Sequence, residues 1–227
     1  MTKPYHPPAP HSYDVPAGPF ADYIRGHDGT WQGFGLPDFY LALIPARLSR
    51  ETIIKHHYSH RTVNNAYLHL GVYYQGQFAG VLVLGYMLNP ARAGKVVAGT
   101  VQGQYLELNR MWLDDAAPRN SESRAISYAI KYIRRAMPTV AWIQSFADER
   151  CGRWGVVYQA ANFLYIGSHK TAFYLLDGEY YHDMLLTAKV HANGRGGHLI
   201  ANLARAEKLV FVNSAIFTSS NPIGGPG

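Results

Sequence analysis

The chain has 227 residues, 48% of them hydrophobic, which is enough to bury a core and excludes collagen-like, coiled-coil or globally disordered chains. Lys+Arg 21 exceed Asp+Glu 15, giving a formal net charge of +6 at pH 7, although charged residues make up only 16% of the chain. So concentrated an excess favours an anionic partner, a nucleic acid or a polyphosphate cofactor. One cysteine, Cys151, excludes a disulfide framework and a cysteine-based zinc site, and fits a reducing compartment. The longest apolar run, Phe78 to Leu88, is too short to cross a bilayer, and the start of the chain lacks an apolar signal core. A soluble, cytoplasmic protein with no membrane partner is expected.

Six of the 13 prolines fall within the first 19 residues, so this segment forms no regular helix and reads as a surface extension. Phe39 to Ile44 predicts a short buried strand. Leu48 to His57 predicts a helix, with Ser49 as its N-cap. Leu70 to Tyr74 and Phe78 to Tyr86, rich in β-branched and aromatic residues, flank Gln75-Gly76-Gln77 as a hairpin. Gln104 to Trp112 alternates as a strand, with Leu106, Leu108, Arg110 and Trp112 on one face and Tyr105, Glu107, Asn109 and Met111 on the other. Glu122 to Met137 carries an apolar stripe at helical spacing in Ile126, Ile130, Ile133 and Met137. Val140 to Phe146 is a strand, and Gly152 to Ala161 a helix whose Trp154, Val157 and Ala161 face inward. Ala172 to Leu176 and Tyr180 to Leu185 are strands joined at Asp177-Gly178, a two-residue turn signal. The tail from Ser219 to Gly227 has the composition of irregular chain. The order implies an α+β fold, a mixed and mostly antiparallel sheet with helices on both faces, and resembles that of the acyl-CoA-dependent N-acyltransferases (the GNAT class). Three segments follow: a proline-rich extension over 1–36, a catalytic domain over 37–188, and a basic extension over 189–227.

Four clusters carry residues with chemical potential. His56-His57-Tyr58-Ser59-His60-Arg61 can supply a general base, a stacking platform or metal ligands. Equally, it can be a basic helix end complementing the macrodipole. In Glu107-Leu108-Asn109-Arg110-Met111-Trp112, a charged strand residue either meets a substrate or is a satisfied ion pair. Arg110 could face an anion and Glu107 a reacting amine. Pro118 to Arg124 leads from strand to helix; Ser121 and Ser123, with Arg119 and Arg124, could hold the phosphates of a donor cofactor, or cap the helix. The glycine-rich signature of the acyltransferases is absent there. Asp148 stands at a strand end, where reactive carboxylates are often displayed, with Tyr158 one turn beyond Trp154. From Ala116 to Arg153 seven basic residues face three acids, with Tyr128, Tyr132, Trp142 and Trp154 interleaved. Such a surface suits phosphates and stacked bases, or is a solvated helix face.

The motifs Ile54 to His60, Leu108 to Trp112, Arg119 to Ser123 and Gln144 to Asp148, followed by Gly155 to Phe163, together resemble the Mom family of phage DNA-modification enzymes over about Phe39 to Leu185. The resemblance implies a GNAT-like transferase that converts the N6 amine of adenine in double-stranded DNA to an N6-carbamoylmethyl derivative, protecting phage DNA from host restriction in the host cytoplasm. It points to His57, Tyr58, Arg110, Asp148 and Tyr158 as active-site residues. Ser121, Ser123 and Arg124 become candidates for an acyl-CoA or related donor. Arg119, Lys131, Arg135, Arg150, Arg153 and Trp154 become candidates for DNA contact. It also raises iron, with His57, Tyr58 and Tyr158 as its nearest residues. Two other readings remain: an acyl-CoA N-acyltransferase acting on a small amine or protein, and a non-catalytic DNA-binding module.

Overall fold

The computed structural model describes residues 13–87, 89–151, 155–187 and 194–219. Two compact units emerge. The first comprises residues up to Ser145 together with Val157–Leu164 and the chain from Phe217; the second comprises Phe146–Val156 and Tyr165–Ile216.

In the first unit, β1 (Tyr13–Asp14), β2 (Asp22–Gly26), β3 (Trp31–Leu36) and β4 (Phe39–Leu43) pair antiparallel in sequence order. Then come α1 (Ala46–His56), the hairpin of β5 (Ala66–Tyr74) and β6 (Gln77–Gly85), the one-turn α2 (Ala93–Val96) and β7 (Tyr105–Leu113). β4 through β7 continue the antiparallel ladder. The long α3 (Ser121–Ala136) crosses back and delivers β8 (Trp142–Asp148), which lies parallel to β7. The sheet is therefore mixed and mostly antiparallel, the α+β arrangement expected from the element order. Residues 22–36, assigned by sequence to the proline-rich extension, form two strands hydrogen-bonded on to β4.

Helices cover both faces. On β4 the side chains alternate: Tyr40 and Ala42 join Tyr73, Ile44 and Phe78, while Ile44 and Phe78 also pack with Ile53 of α1, Val81 and Val83. Phe39 points the other way and meets Tyr128 of α3, with ring centroids 6.0 Å apart. α3 starts at Asn120, whose φ of 69° is tolerated by asparagine because its short side chain relieves the left-handed clash. Ser49 is no N-cap. Pro45 holds that position, and Ser49 is buried inside α1, donating to the Ala46 carbonyl (3.1 Å) and pairing with His69 Nδ1.

The second unit holds the last residues of β8, most of β9 (Leu164–Leu176) and β10 (Glu179–His182), joined through Asp177 and Gly178, whose φ values of 50° and 79° suit the sharp turn. It continues through α5 (Met184–Thr187) and α6 (Arg195–Ala201) to β11 (Glu207–Ser219), which lies beside β9. Leu176, Tyr181 and Leu199 form its small core. α4 (Val156–Ala160) begins at the boundary of the two units. Among the described residues, no helix is long and apolar enough to cross a membrane.

Ile53 is 1% exposed between α1 and β6, so Ile53→Ala should lower stability by about 2–4 kcal/mol. A urea unfolding series on the full chain, compared at constant m-value, measures it.

Candidate active site

The site is built on an irregularity in β7. Val83 of β6 pairs with Arg110, but the next residue, Leu84, pairs with Leu108, so Asn109 is an extra residue in the ladder. A bulge of this kind breaks the strict alternation of faces and re-aims the side chains around it. In a regular strand Glu107 and Arg110 would sit on opposite faces. Here their charges interact, and Asn109 Nδ2 donates to Glu107 Oε1 at 2.9 Å. Gly85 pairs with Glu107, and a Cβ on it would lie 1.9 Å from the Asn65 carbonyl oxygen and 2.7 Å from Asn109 Oδ1. Only glycine leaves room there.

β8 completes the floor. The parallel ladder runs from Tyr105↔Trp142 to Glu107↔Gln144, and Gln144 Nε2 donates to Glu107 Oε2 at 2.7 Å. One residue on, Ser145 takes over from the ladder: its hydroxyl donates to the Leu108 carbonyl (3.0 Å) and shares a hydrogen bond with the Tyr158 hydroxyl (3.1 Å). Tyr158 also sets its ring edge against Phe163, centroids 5.6 Å apart.

The third wall comes from the end of α1. His56 stacks on Trp112 at 4.3 Å, which docks the helix end on the bulged strand. His57 leaves the helix in extended conformation and is 6% exposed. The Ser59 N–H donates to His57 Nδ1 (3.1 Å), and the Ser59 hydroxyl stands 2.8 Å from the same nitrogen. A backbone N–H has a fixed direction, so Nδ1 is the acceptor and the ring proton sits on Nε2. Tyr58, 55% exposed, lies against the His57 ring with centroids 4.3 Å apart. Arg110 Nε donates to the Arg61 carbonyl at 3.2 Å and Nη1 to the Asn109 carbonyl at 2.6 Å, tying strand to loop.

Electrostatics follow from this packing. Burial, the Arg110 charge and His60 together lower the His57 pKa from 6.5 to about 4, so the ring is neutral at physiological pH. Burial also raises the Glu107 carboxyl above its ordinary value, opposed by the Gln144 and Asn109 hydrogen bonds and by Arg110. Two buried oxygens nearby, Asn65 Oδ1 and Asn109 Oδ1, lack a hydrogen-bond donor. The cluster thus offers a cation and an N–H donor beside acceptor oxygens.

Comparison with known proteins places the chain in a family. The model of the Mom protein family matches residues 38–215. The chain belongs to that family. It is 53% identical over 180 residues to the methylcarbamoylase Mom of Escherichia phage Mu, covering 79% of this chain and 75% of that protein. Among solved structures it is similar to a probable acetyltransferase from Staphylococcus epidermidis (11% identity, TM-score 0.48, 81% of this chain and 99% of that one). It is similar as well to the ribosomal-protein-S5-alanine acetyltransferase of Vibrio fischeri (11% identity, TM-score 0.47, 83% and 97%).

Of the residues that the Mom resemblance singles out, the first unit brings His57, Tyr58 and Arg110 together and ties Tyr158 to β8 through Ser145. Asp148 lies in the second unit, where Arg150 grips both its carboxylate oxygens and spreads its guanidinium over Phe173 at 3.9 Å. Ser121 is buried at the start of α3, and the Ser123 hydroxyl donates to the Asn120 carbonyl at 3.0 Å. The Arg124 guanidinium lies over Phe39 (4.5 Å) and 3.6 Å from Asp38. Arg119, Lys131 and Arg135 are exposed, while Arg153 and Trp154 lie outside the described residues. Iron finds no support. Among the described residues no three His, Cys, Asp or Glu side chains stand together as a metal site, and His57 Nδ1 is already taken by Ser59. Sequence reasoning leaves Asn65, Asn109, Gln144 and Ser145 without a role; the one available signal was three polar residues, Glu107, Asn109 and Arg110, crowded into one strand.

The His57 environment fixes a pH dependence. The unfolded chain takes up a proton near pH 6.5, whereas the folded ring resists until about 4. Stability therefore drains as pH falls through that window, by on the order of 3 kcal/mol, and is unaffected by this group above it. Urea midpoints of His57→Gln should fall less steeply between pH 6.5 and 4 than those of the parent.

Proposed function

We propose that this protein transfers a carbamoylmethyl group to the N6 amine of adenine in double-stranded DNA, protecting phage DNA from host restriction. The observation that carries the reading is the convergence of Arg110, the His57 Nε2–H and the desolvated Glu107 at the β7 bulge, in a chain whose phage Mu relative is named a methylcarbamoylase.

The chemistry demands such a set. The lone pair of the adenine amine is delocalised into the ring, so the amine is a weak nucleophile, and inside a duplex it is paired and stacked. The base must leave the stack, which requires an aromatic surface and an edge reader. Tyr58, exposed beside His57, provides the surface. The donor-less Asn65 and Asn109 oxygens suit the N–H groups of an amine. As the N6–C bond forms, the bond from the carbamoylmethyl methylene to the donor's leaving group breaks, and the amine proton must go to a base. His57 is poorly suited, because its free nitrogen carries the proton. Glu107, its pKa raised by burial, accepts the proton in this proposal, while Arg110 and the His57 N–H stabilise the negative charge that the leaving group carries away.

A CoA-type or related donor would supply the group only if it carried the carbamoylmethyl methylene on a leaving group, because attack on an acyl-CoA thioester carbonyl would give an N6-acyl product instead. α3 begins without a side-chain cap from Asn120; the Ser121 N–H donates to the Pro118 carbonyl (3.1 Å), so the Glu122 and Ser123 N–H groups would be the ones to take phosphate oxygens. Arg124 is committed to Asp38, Phe39 and Tyr128 and contributes little to such a cradle.

DNA from cells expressing the full chain, digested and weighed as nucleosides, should contain a modified deoxyadenosine. Arg110→Ala and Glu107→Gln should each lower its yield by roughly 100-fold or more while the proteins unfold cooperatively. A folded, expressed parent chain that leaves deoxyadenosine unmodified defeats the reading. If Asp148→Asn abolishes modification and Glu107→Gln does not, the proton acceptor is Asp148.

A further inference from the structure

We propose that Arg25, Trp31 and Arg135 form a clamp for the DNA phosphate backbone, using none of the residues of the candidate active site. The proposal rests on the reading of double-stranded DNA as substrate.

The clamp is built by the β2–β3 hairpin and the last turn of α3. The ladder of β2 and β3 shifts between Ile24 and Arg25, so that Arg25 comes to pair with Trp31. Its guanidinium then lies over the indole, 4.1 Å from the ring centroid. α3 brings Arg135 over the same ring at 5.0 Å. Tyr23 fixes the helix to the hairpin: its hydroxyl donates to the Lys131 carbonyl at 2.6 Å, and its ring meets Trp31 and Phe34 edge-on at 4.8 and 4.9 Å. One indole, wedged between two elements, therefore carries two guanidinium groups.

That arrangement is electrostatically incomplete. Each cation is attracted by the indole face, but the two repel each other. Among the described residues neither Arg25 nor Arg135 forms a salt bridge, and Arg25 donates only a long hydrogen bond, 3.5 Å to the Gly29 carbonyl. Of the carboxylates beside Arg25, Asp28 is occupied by Thr30, whose hydroxyl donates to it at 2.7 Å, and exposed Asp14, opposite Arg25 on β1, partly offsets its charge but forms no salt bridge with it among the described residues. Lys131 and Arg134 are exposed on the same end of α3. Guanidinium forks held in place by an aromatic ring match phosphodiester oxygens, because their donors are preorganised and weakly hydrated. A backbone of repeated phosphates suits cations strung along an open surface better than a single small anion, which an exposed site screened by water would hold weakly.

The test is fluorescence anisotropy of a labelled duplex titrated with the full chain at several KCl concentrations. Arg25→Gln/Arg135→Gln should lower affinity at least tenfold at low salt and reduce the slope of log K against log salt by about 2, one for each phosphate no longer neutralised. Arg25→Lys/Arg135→Lys should restore the slope, separating charge from fold. Trp31→Leu, with both charges kept but unsupported, should give an intermediate affinity. An unchanged slope in the double glutamine variant overturns the clamp while leaving the proposed reaction standing. A parent chain that neither binds nor modifies the duplex overturns the reaction itself.

Discussion

A carboxylate and a guanidinium inside a sheet are tolerated only when each is satisfied, because an ion removed from water without partners costs several kcal/mol. β7 meets that constraint with one extra residue. The bulge at Asn109 lets Glu107 and Arg110 share an environment, and it places the Asn109 amide where it both bonds the carboxylate and leaves an oxygen over. Gln144 holds the second carboxylate oxygen from the parallel strand. The polar cluster is therefore fixed by backbone geometry, with glycine at position 85 making the room.

The neighbouring elements follow from that centre. α1 must end where it does because His56 stacks on Trp112, two residues beyond Arg110, and His57 turns back beneath Tyr58. Arg110 closes the loop by holding the Arg61 carbonyl. β8 can pair with β7 only as far as Gln144, after which Ser145 replaces a ladder bond with a side-chain bond and recruits Tyr158. The apolar sandwich of α1, the sheet and α3 supplies the rigidity, since close-packed side chains on both faces transmit any shift of β7 to both helices.

Much of this was legible in the sequence, and the reasons differ by element. The stripe of Ile126, Ile130 and Ile133 and the turn pair Asp177-Gly178 are local signals, and α3 and the β9–β10 turn lie where those signals put them. Ser49 misled because a serine near a helix start usually caps it, whereas Pro45 starts the helix earlier and the hydroxyl is drawn to His69. The face assignment of Glu107 and Arg110 failed for a deeper reason. Alternation assumes a regular ladder, and a bulge is a property of the pairing with β6, not of the β7 sequence. Likewise β2 and β3 were hidden by the proline-rich chain before them and by the glycines that interrupt their own alternation, and their place is decided by pairing with β1 and β4.

The molecule uses charge in two physically distinct ways. Arg110, Glu107 and His57 act at short range among buried dipoles, where water and salt screen little, so their influence is felt as shifted proton affinities. Arg25, Lys131, Arg134 and Arg135 are exposed, where a Debye length of about 8 Å at physiological salt confines each to its own neighbourhood. Such charges contribute almost nothing to folding, and an aromatic scaffold that holds several of them against mutual repulsion stabilises the protein little. On the proposed clamp, its physical consequence would lie in the counterions that a polyanion gives up on settling there. Salt and pH therefore address different parts of one chain: ionic strength reports on the hairpin and α3, and proton concentration on the bulged strand.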